Sequence, residues 1–176
     1  MTGGKKNTLA QMQAQVQSQV KDELENHFKR KPAILITGQH HSREHITVNV
    51  AFFSLLKMLH NGLAHFDKSA LSLLKQNKYY VIPSVNVDGV AFIENRYLAT
   101  GQLLRKRKNM HQRSDACGPD RGGVDLNRNY GYKFGFNEHP TDNECKGDTW
   151  GGPSAFSEPE TRAIRDFVTS KKDELN

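Results

Sequence analysis

Ala33-Ile-Leu-Ile-Thr-Gly-Gln-His-His-Ser-Arg-Glu-His45 is the stretch on which the reading of this chain turns. Ala33–Thr37 is a short apolar run closed by Gly38, the pattern of a buried strand. Residues 43–60 then carry apolar side chains at helical spacing, Ile46, Val50, Phe53, Leu56 and Leu59, and Asn61-Gly62 stops that helix. A second helix is expected over 66–76, and Tyr79–Val85 reads as another strand. Strand, helix, helix, strand is the opening of an α/β fold, here a mixed sheet flanked by helices. Upstream, residues 7–30 are glutamine-rich with an apolar stripe, Leu9, Met12, Val16, Val20, Leu24 and Phe28. They predict an amphipathic helical extension, 1–31, ahead of a domain running over 32–176. Downstream, residues 101–153 are rich in Gly, Asn, Asp and Pro, and a connection of that length usually serves function. The end reads as a helix over 157–170, with Ser157 as N-cap, Pro159 in the first turn and Glu160 completing a capping box.

Composition narrows the function classes. The 176 residues hold 25 basic and 19 acidic side chains, a net charge of +6. Such an excess only weakly favours anionic partners. The basic runs Lys29–Lys31 and Arg105–Lys108 fit either a nucleic-acid patch or solvated surface, and surface is the simpler reading of the first. No apolar window is long enough for a membrane span. The opening Met1–Thr8 has no apolar stretch behind its lysines, so no signal peptide is expected in these residues. Two cysteines exclude a multi-disulfide miniprotein and a four-cysteine zinc module.

Three constellations could carry chemistry. Gly38–His45 sits where a strand ends and a helix begins, the edge at which open α/β sheets bind ligands. There His41 and Glu44 can converge on one zinc ion, which accepts imidazole nitrogen and carboxylate oxygen at about 2.0–2.2 Å. The same letters also fit an inverted zincin pattern, with His41 and His45 as ligands and Glu44 as base. That pattern needs one continuous helix, whereas the strand and Gly38 place His41 at or before the helix start. Secondly, Asn127-Arg128 can hold a carboxylate, the arginine by a two-pronged ion pair and the amide by donation. Turn chemistry explains the same residues without a ligand. Thirdly, Cys117 and Cys145 bracket that loop: a disulfide there would contribute about 3–4 kcal/mol, and two free thiols are the alternative.

Taken together, these motifs resemble the zinc metallocarboxypeptidases of the carboxypeptidase A type, the M14 peptidase family. The likeness runs from about Pro32 to Val168 through five ordered motifs: Ile34–Glu44, Pro83-Ser-Val-Asn-Val-Asp-Gly89, Arg107-Lys-Asn109, Val124-Asp-Leu-Asn-Arg-Asn-Tyr-Gly131 and Gly147–Glu160. The resemblance implies a Zn2+ cofactor held by His41 and Glu44. It implies Asn127 and Arg128 on the free C-terminal carboxylate of a peptide or protein substrate, Arg107 as the catalytic group that polarises the scissile carbonyl, and Arg43 on the substrate further from its end. Arg105-Lys106 is an alternative register for Arg107-Lys-Asn109. Cys117 and Cys145 match a disulfide found in many members, and His45 stands where many have an aromatic residue. Nucleic acid is disfavoured as a partner, because the oxyanion role explains Arg105–Lys108 better. A secreted or lysosomal compartment is implied by the resemblance alone. The family's third zinc ligand, its catalytic glutamate and its substrate-capping tyrosine would fall beyond Asn176. The likeness is therefore to the N-terminal half of a catalytic domain. The expectation is a zinc-dependent carboxypeptidase fold with no appreciable activity in these 176 residues alone. The alternative is a non-catalytic module that binds peptide C-termini or uses the N-terminal helix as an interaction surface.

Overall fold

The computed structural model describes residues 9–29, 31–111, 117–136 and 142–175, with the side chains of 25–29 left aside. His139, Arg30 and the Phe28 side chain therefore lie outside the described parts.

Helix α1 spans Leu9–Lys29, and strand β1 spans Ala33–Thr37. Helix α2 covers Ile46–Leu59, passes into a π turn at His60–Ala64, and is followed by α3, Lys68–Gln76. Asp67 caps α3 by accepting from the Ser69 and Ala70 backbone amides. Strand β2, Lys78–Ile82, runs parallel to β1, with Ala33 opposite Lys78 and Thr37 opposite Ile82. Among the described residues the sheet consists of this parallel pair. The α/β class holds, and β2 stops three residues earlier than the apolar run suggests, because Pro83 has no amide to donate.

Helix α4, Val87–Thr100, is not announced by periodicity. It is bounded by local chemistry: the Asn86 side chain accepts from the Gly89 amide, and Gly101 closes the end in a left-handed conformation, φ 70°. The long connection after it holds a single turn of helix, α5 (Gly118–Arg121), and a 3₁₀ turn over Leu126–Arg128. Helix α6 covers Pro159–Ser170. Its N-cap is Glu158, not Ser157, and no side chain makes a capping bond. Ser157 instead donates its hydroxyl to the Glu158 carboxylate and accepts from the Asn129 amide. Pro159 at the first helical position has no amide in need of a cap.

The apolar core is small: Val85, Leu126 and Ile164, with Ile82 and Tyr130 packed against them. Among the described residues, buried polar side chains outnumber buried apolar ones, so hydrogen bonding holds this end of the fold. Asn129, fully buried, donates to the Gly151 and Ser154 carbonyls and accepts from the Glu158 amide and the Thr161 hydroxyl. Asn109, also fully buried, donates to Glu158 and Glu160 and accepts from the Val124 amide. These two amides tie the 124–129 loop to the start of α6. At the other end, Glu174 accepts from Lys78 and Tyr80, which fastens the chain after α6 to β2.

Candidate metal and carboxylate site

The site lies past the C-terminal ends of the two strands. β1 delivers the chain to Gly38, whose amide donates to Ile82 O. A Cβ at Gly38 would stand 2.6 Å from the Pro83 carbonyl oxygen, so only glycine lets the two strand exits lie this close. Gln39 follows with φ 49°, braced by its amide on the Thr47 hydroxyl and its side chain on Ser42 O. This sharp exit turns His41 inward. Since α2 begins only at Ile46, His41, Glu44 and His45 all precede the helix. The one-helix arrangement that the inverted zincin pattern needs is thus absent, and His45 is an exposed residue whose ring meets Gln39.

His41 is 7% exposed and is held at both ring nitrogens. Nδ1 lies 2.9 Å from Glu44 Oε2, and Nε2 lies 3.0 Å from Asp125 Oδ1. Asp125 is fully buried. Its other oxygen accepts from Arg107 Nε and Nη2, both at 2.9 Å, while Arg107 Nη1 stands 3.8 Å from Glu44 Oε1. Four side chains from three segments thus close a ring: imidazole, carboxylate, guanidinium and carboxylate. Burial by itself would raise the Asp125 pKa, but the His41 hydrogen bond and the Arg107 guanidinium outweigh it and hold the carboxyl below its ordinary value. Asp125 is the residue that sequence reasoning missed. A metal-binding histidine almost always passes its second ring nitrogen to a carboxylate or carbonyl, but that rule does not single out Asp125 from the other carboxylates of the sequence.

The segment carrying Arg107 is stitched to the histidine loop. The Ser42 amide and hydroxyl donate to Arg107 O and Lys106 O, and the Asn86 amide donates to His40 O and Arg107 O. Between residues 105 and 108 the side chains alternate. Arg107 enters the site, whereas Lys106 and Lys108 are buried the other way and Arg105 is exposed. Lys106 Nζ donates to Pro119 O and Gly122 O, and Lys108 Nζ to Glu144 O and Gly147 O. Burial, then the neighbouring Lys108 charge, push Lys106 down to about 8. Lys106 and Lys108 are thus not solvated surface charges, and Arg107 rather than Arg105 is the arginine beside Glu44 and Asp125. Cys117 and Cys145, one beside each lysine-held segment, are joined by a disulfide with Cα atoms 4.8 Å apart.

The remaining expected residues sit apart from this ring. Arg43 points to Arg105 O and Asp148, both at 3.1 Å. Asn127 is exposed, and its backbone amide donates to Asp125 Oδ1. Arg128 donates from Nη1 to Asn127 O, and its Nε is buried with no partner among the described residues. Both residues line a cavity of about 220 Å³ with Tyr130, Tyr132, Lys133 and Phe136. The Tyr130 hydroxyl shares a 2.8 Å hydrogen bond with His40 Nε2, and burial, helped by the Glu160 charge, pushes its phenol up to about 12.

Two features test whether zinc suits these residues. Two ligand atoms about 2 Å from a tetrahedral ion stand about 3.3 Å apart, close to the 2.9 Å between His41 Nδ1 and Glu44 Oε2. Asp125 on Nε2 also leaves Nδ1 as the metal-facing nitrogen. One imidazole and one carboxylate fit zinc as a partial donor set. Among the described residues no group of three or more His, Cys, Asp or Glu is placed to hold a metal.

The zinc carboxypeptidase family profile matches residues 7–176. The chain belongs to the zinc carboxypeptidase family. Human carboxypeptidase O is 31% identical over 136 residues, which cover 77% of this chain and 33% of that protein. Zinc carboxypeptidase A 1 of Drosophila melanogaster is 31% identical over 144 residues, 82% of this chain and 30% of the relative. An inactive metallocarboxypeptidase of Ajellomyces capsulatus is 30% identical over 154 residues, 86% of this chain and 23% of the relative. The chain thus spans a third or less of the length of these three curated relatives. Among solved structures, thrombin activatable fibrinolysis inhibitor aligns with a TM-score of 0.66 at 26% identity, over 82% of this chain and 33% of that one. Carboxypeptidase A from Helicoverpa armigera aligns with a TM-score of 0.63 at 27% identity, over 84% and 32%.

Proposed function

We propose that this chain carries the substrate-anchoring and part of the zinc-binding machinery of a carboxypeptidase that removes C-terminal residues from peptides. The observation that carries the reading is the His41 ring, secured at Nε2 by buried Asp125 and facing Glu44 at Nδ1. His41 and Glu44 would hold zinc, which when bound supplies a nucleophile at neutral pH and polarises a carbonyl. Arg107 is fixed by two bonds to Asp125 and keeps Nη1 for an oxyanion developing on the substrate. Arg128, whose buried Nε has no partner among the described residues, and Asn127 would take the substrate's terminal carboxylate. Domain extent follows the same reading: the peptidase domain proper from Pro32, with α1 as an extension.

The donor count also supports a second reading for the 176-residue polypeptide by itself, that of a binder of C-terminal carboxylates which does not turn over. Two protein ligands fall short of the three usual at catalytic zinc. Peptide hydrolysis with added zinc tests both, using peptides ending in a hydrophobic and in a basic residue. The expected result is no release of the terminal amino acid above a His41→Ala control. Calorimetry should still show a peptide with a free C-terminal carboxylate binding about tenfold or more tightly than its C-terminal amide, with the preference lost in Arg128→Ala. Clear turnover would overturn the non-catalytic reading, and equal binding of acid and amide would overturn the carboxylate site.

A further inference from the structure

We infer that the turn joining α2 to α3 is a second metal site, in which His60 and His65 bind one borderline divalent transition-metal ion. The turn's own geometry creates it. α2 runs without a break into the π turn, whose closing bond is the His65 amide on His60 O at 3.3 Å. On an ordinary α-helix, residues five apart point about 140° away from each other. The wider turn brings them to one side, where the two Nε2 atoms lie 2.8 Å apart and the rings meet at 83°.

The turn is braced. A Cβ on Gly62 would stand 2.8 Å from the Leu74 side chain and 3.1 Å from the Leu71 amide nitrogen, so the turn is seated against α3. The Asp67 amide donates to Asn61 O, and its carboxylate caps α3. Both histidines are nonetheless exposed, and water could satisfy each ring. The structure instead joins the rings by an Nε2···Nε2 hydrogen bond, one donating and the other accepting, and with the donating ring in its Nδ1–H form both nitrogens face a single ion from a fixed backbone. Two ligands at zinc-like bond lengths and a tetrahedral angle stand about 3.3 Å apart, which needs an opening of about 0.5 Å from the observed spacing. Imidazole selects Cu2+, Ni2+ or Zn2+, while Mg2+ and Ca2+ take oxygen. Among the described residues no third His, Cys, Asp or Glu joins the pair. Water therefore completes the coordination sphere, and the ion exchanges freely.

The test is Cu2+ titration of the 176-residue chain carrying His41→Ala and Glu44→Gln, followed by electron paramagnetic resonance. The expected result is one bound ion with a two-nitrogen coupling pattern, undisturbed by excess Mg2+ or Ca2+. Adding His60→Asn or His65→Asn should weaken binding about tenfold or more and remove that pattern. Both positions are exposed, so neither change threatens folding. Absence of binding in the starting variant, or affinity within about threefold after each added change, overturns the inference. In the same His41→Ala, Glu44→Gln chain, substoichiometric Cu2+ should broaden the His60 and His65 imidazole resonances together. Broadening that spares this pair overturns it equally.

Discussion

Asp125 serves two groups at once, orienting His41 through one oxygen and Arg107 through the other. Because it is fully buried, its replacement by alanine leaves a nearly buried guanidinium with only the more distant Glu44 carboxylate, at 3.8 Å, as counter-charge. Removing one partner of such a pair costs about 3–5 kcal/mol. Arg107 keeps some contact with water, so about 3 kcal/mol is expected, read as a fall in the urea midpoint of Asp125→Ala. The pH dependence has a definite sign. The folded-state pKa of Asp125 lies below its ordinary 3.8, so the carboxylate contributes its full stability above that value and loses it as pH falls through the lowered one. Relative to Asp125→Asn, the parent should therefore hold a constant advantage at neutral pH that shrinks only below about pH 4.

At the scale of the element, residues 105–108 show why a basic run need not be a surface. An extended segment sends successive side chains to opposite faces, so Arg107 reaches the His41 ring while Lys106 and Lys108 reach carbonyls of the segments beside the disulfide. Lys106 titrates near 8 when folded and near 10.5 when unfolded. Between those values the unfolded chain holds a proton that the folded chain lacks, so stability should rise with pH. The gain over a Lys106→Met variant, measured by thermal unfolding from pH 8 to 10, should be on the order of 2–3 kcal/mol. Charge order alone does not reveal such pairing. That His41 and Glu44 face each other follows from the strand exit ahead of them, whereas Arg107 was placed beside them by the family resemblance alone. β1, α2 and α3 were readable from their apolar period, although Asn61-Gly62 bends α2 into a π turn rather than ending it. α4 was not, since its first turn combines Val87, Gly89 and Val90, weak helix formers whose helix rests on Asn86 and Gly101 at its ends. Ser157 misled because its hydroxyl is claimed by Asn129 and Glu158, partners remote from any local capping pattern. Asp125 stayed hidden because its meaning lies in a contact 84 residues away in sequence.

The whole molecule leaves much apolar surface uncovered. α2 exposes Ile46, Val50, Phe53 and Leu56 along one side, and α1 exposes Leu9, Met12, Val16, Val20 and Leu24. Among the described residues each strand of the parallel pair also has one unpaired edge, whereas parallel sheets are ordinarily covered on both faces. The 176-residue polypeptide should therefore bind a hydrophobic dye strongly and self-associate. Phe53→Lys, at a position 63% exposed, should lower both while changing stability by less than about 0.5 kcal/mol. Light scattering and dye fluorescence check this, and unchanged association would point to the strand edges instead. The Cys117–Cys145 bridge carries a further consequence, for limited proteolysis. Lys106 and Lys108 are buried and shielded from trypsin, but Arg121 and Lys133, both exposed, lie inside the bridged loop. A single cut at either leaves a nicked chain that migrates as one covalent species. Only a thiol reductant releases its two pieces, so molecular weight on a gel reports the redox state of this one bond.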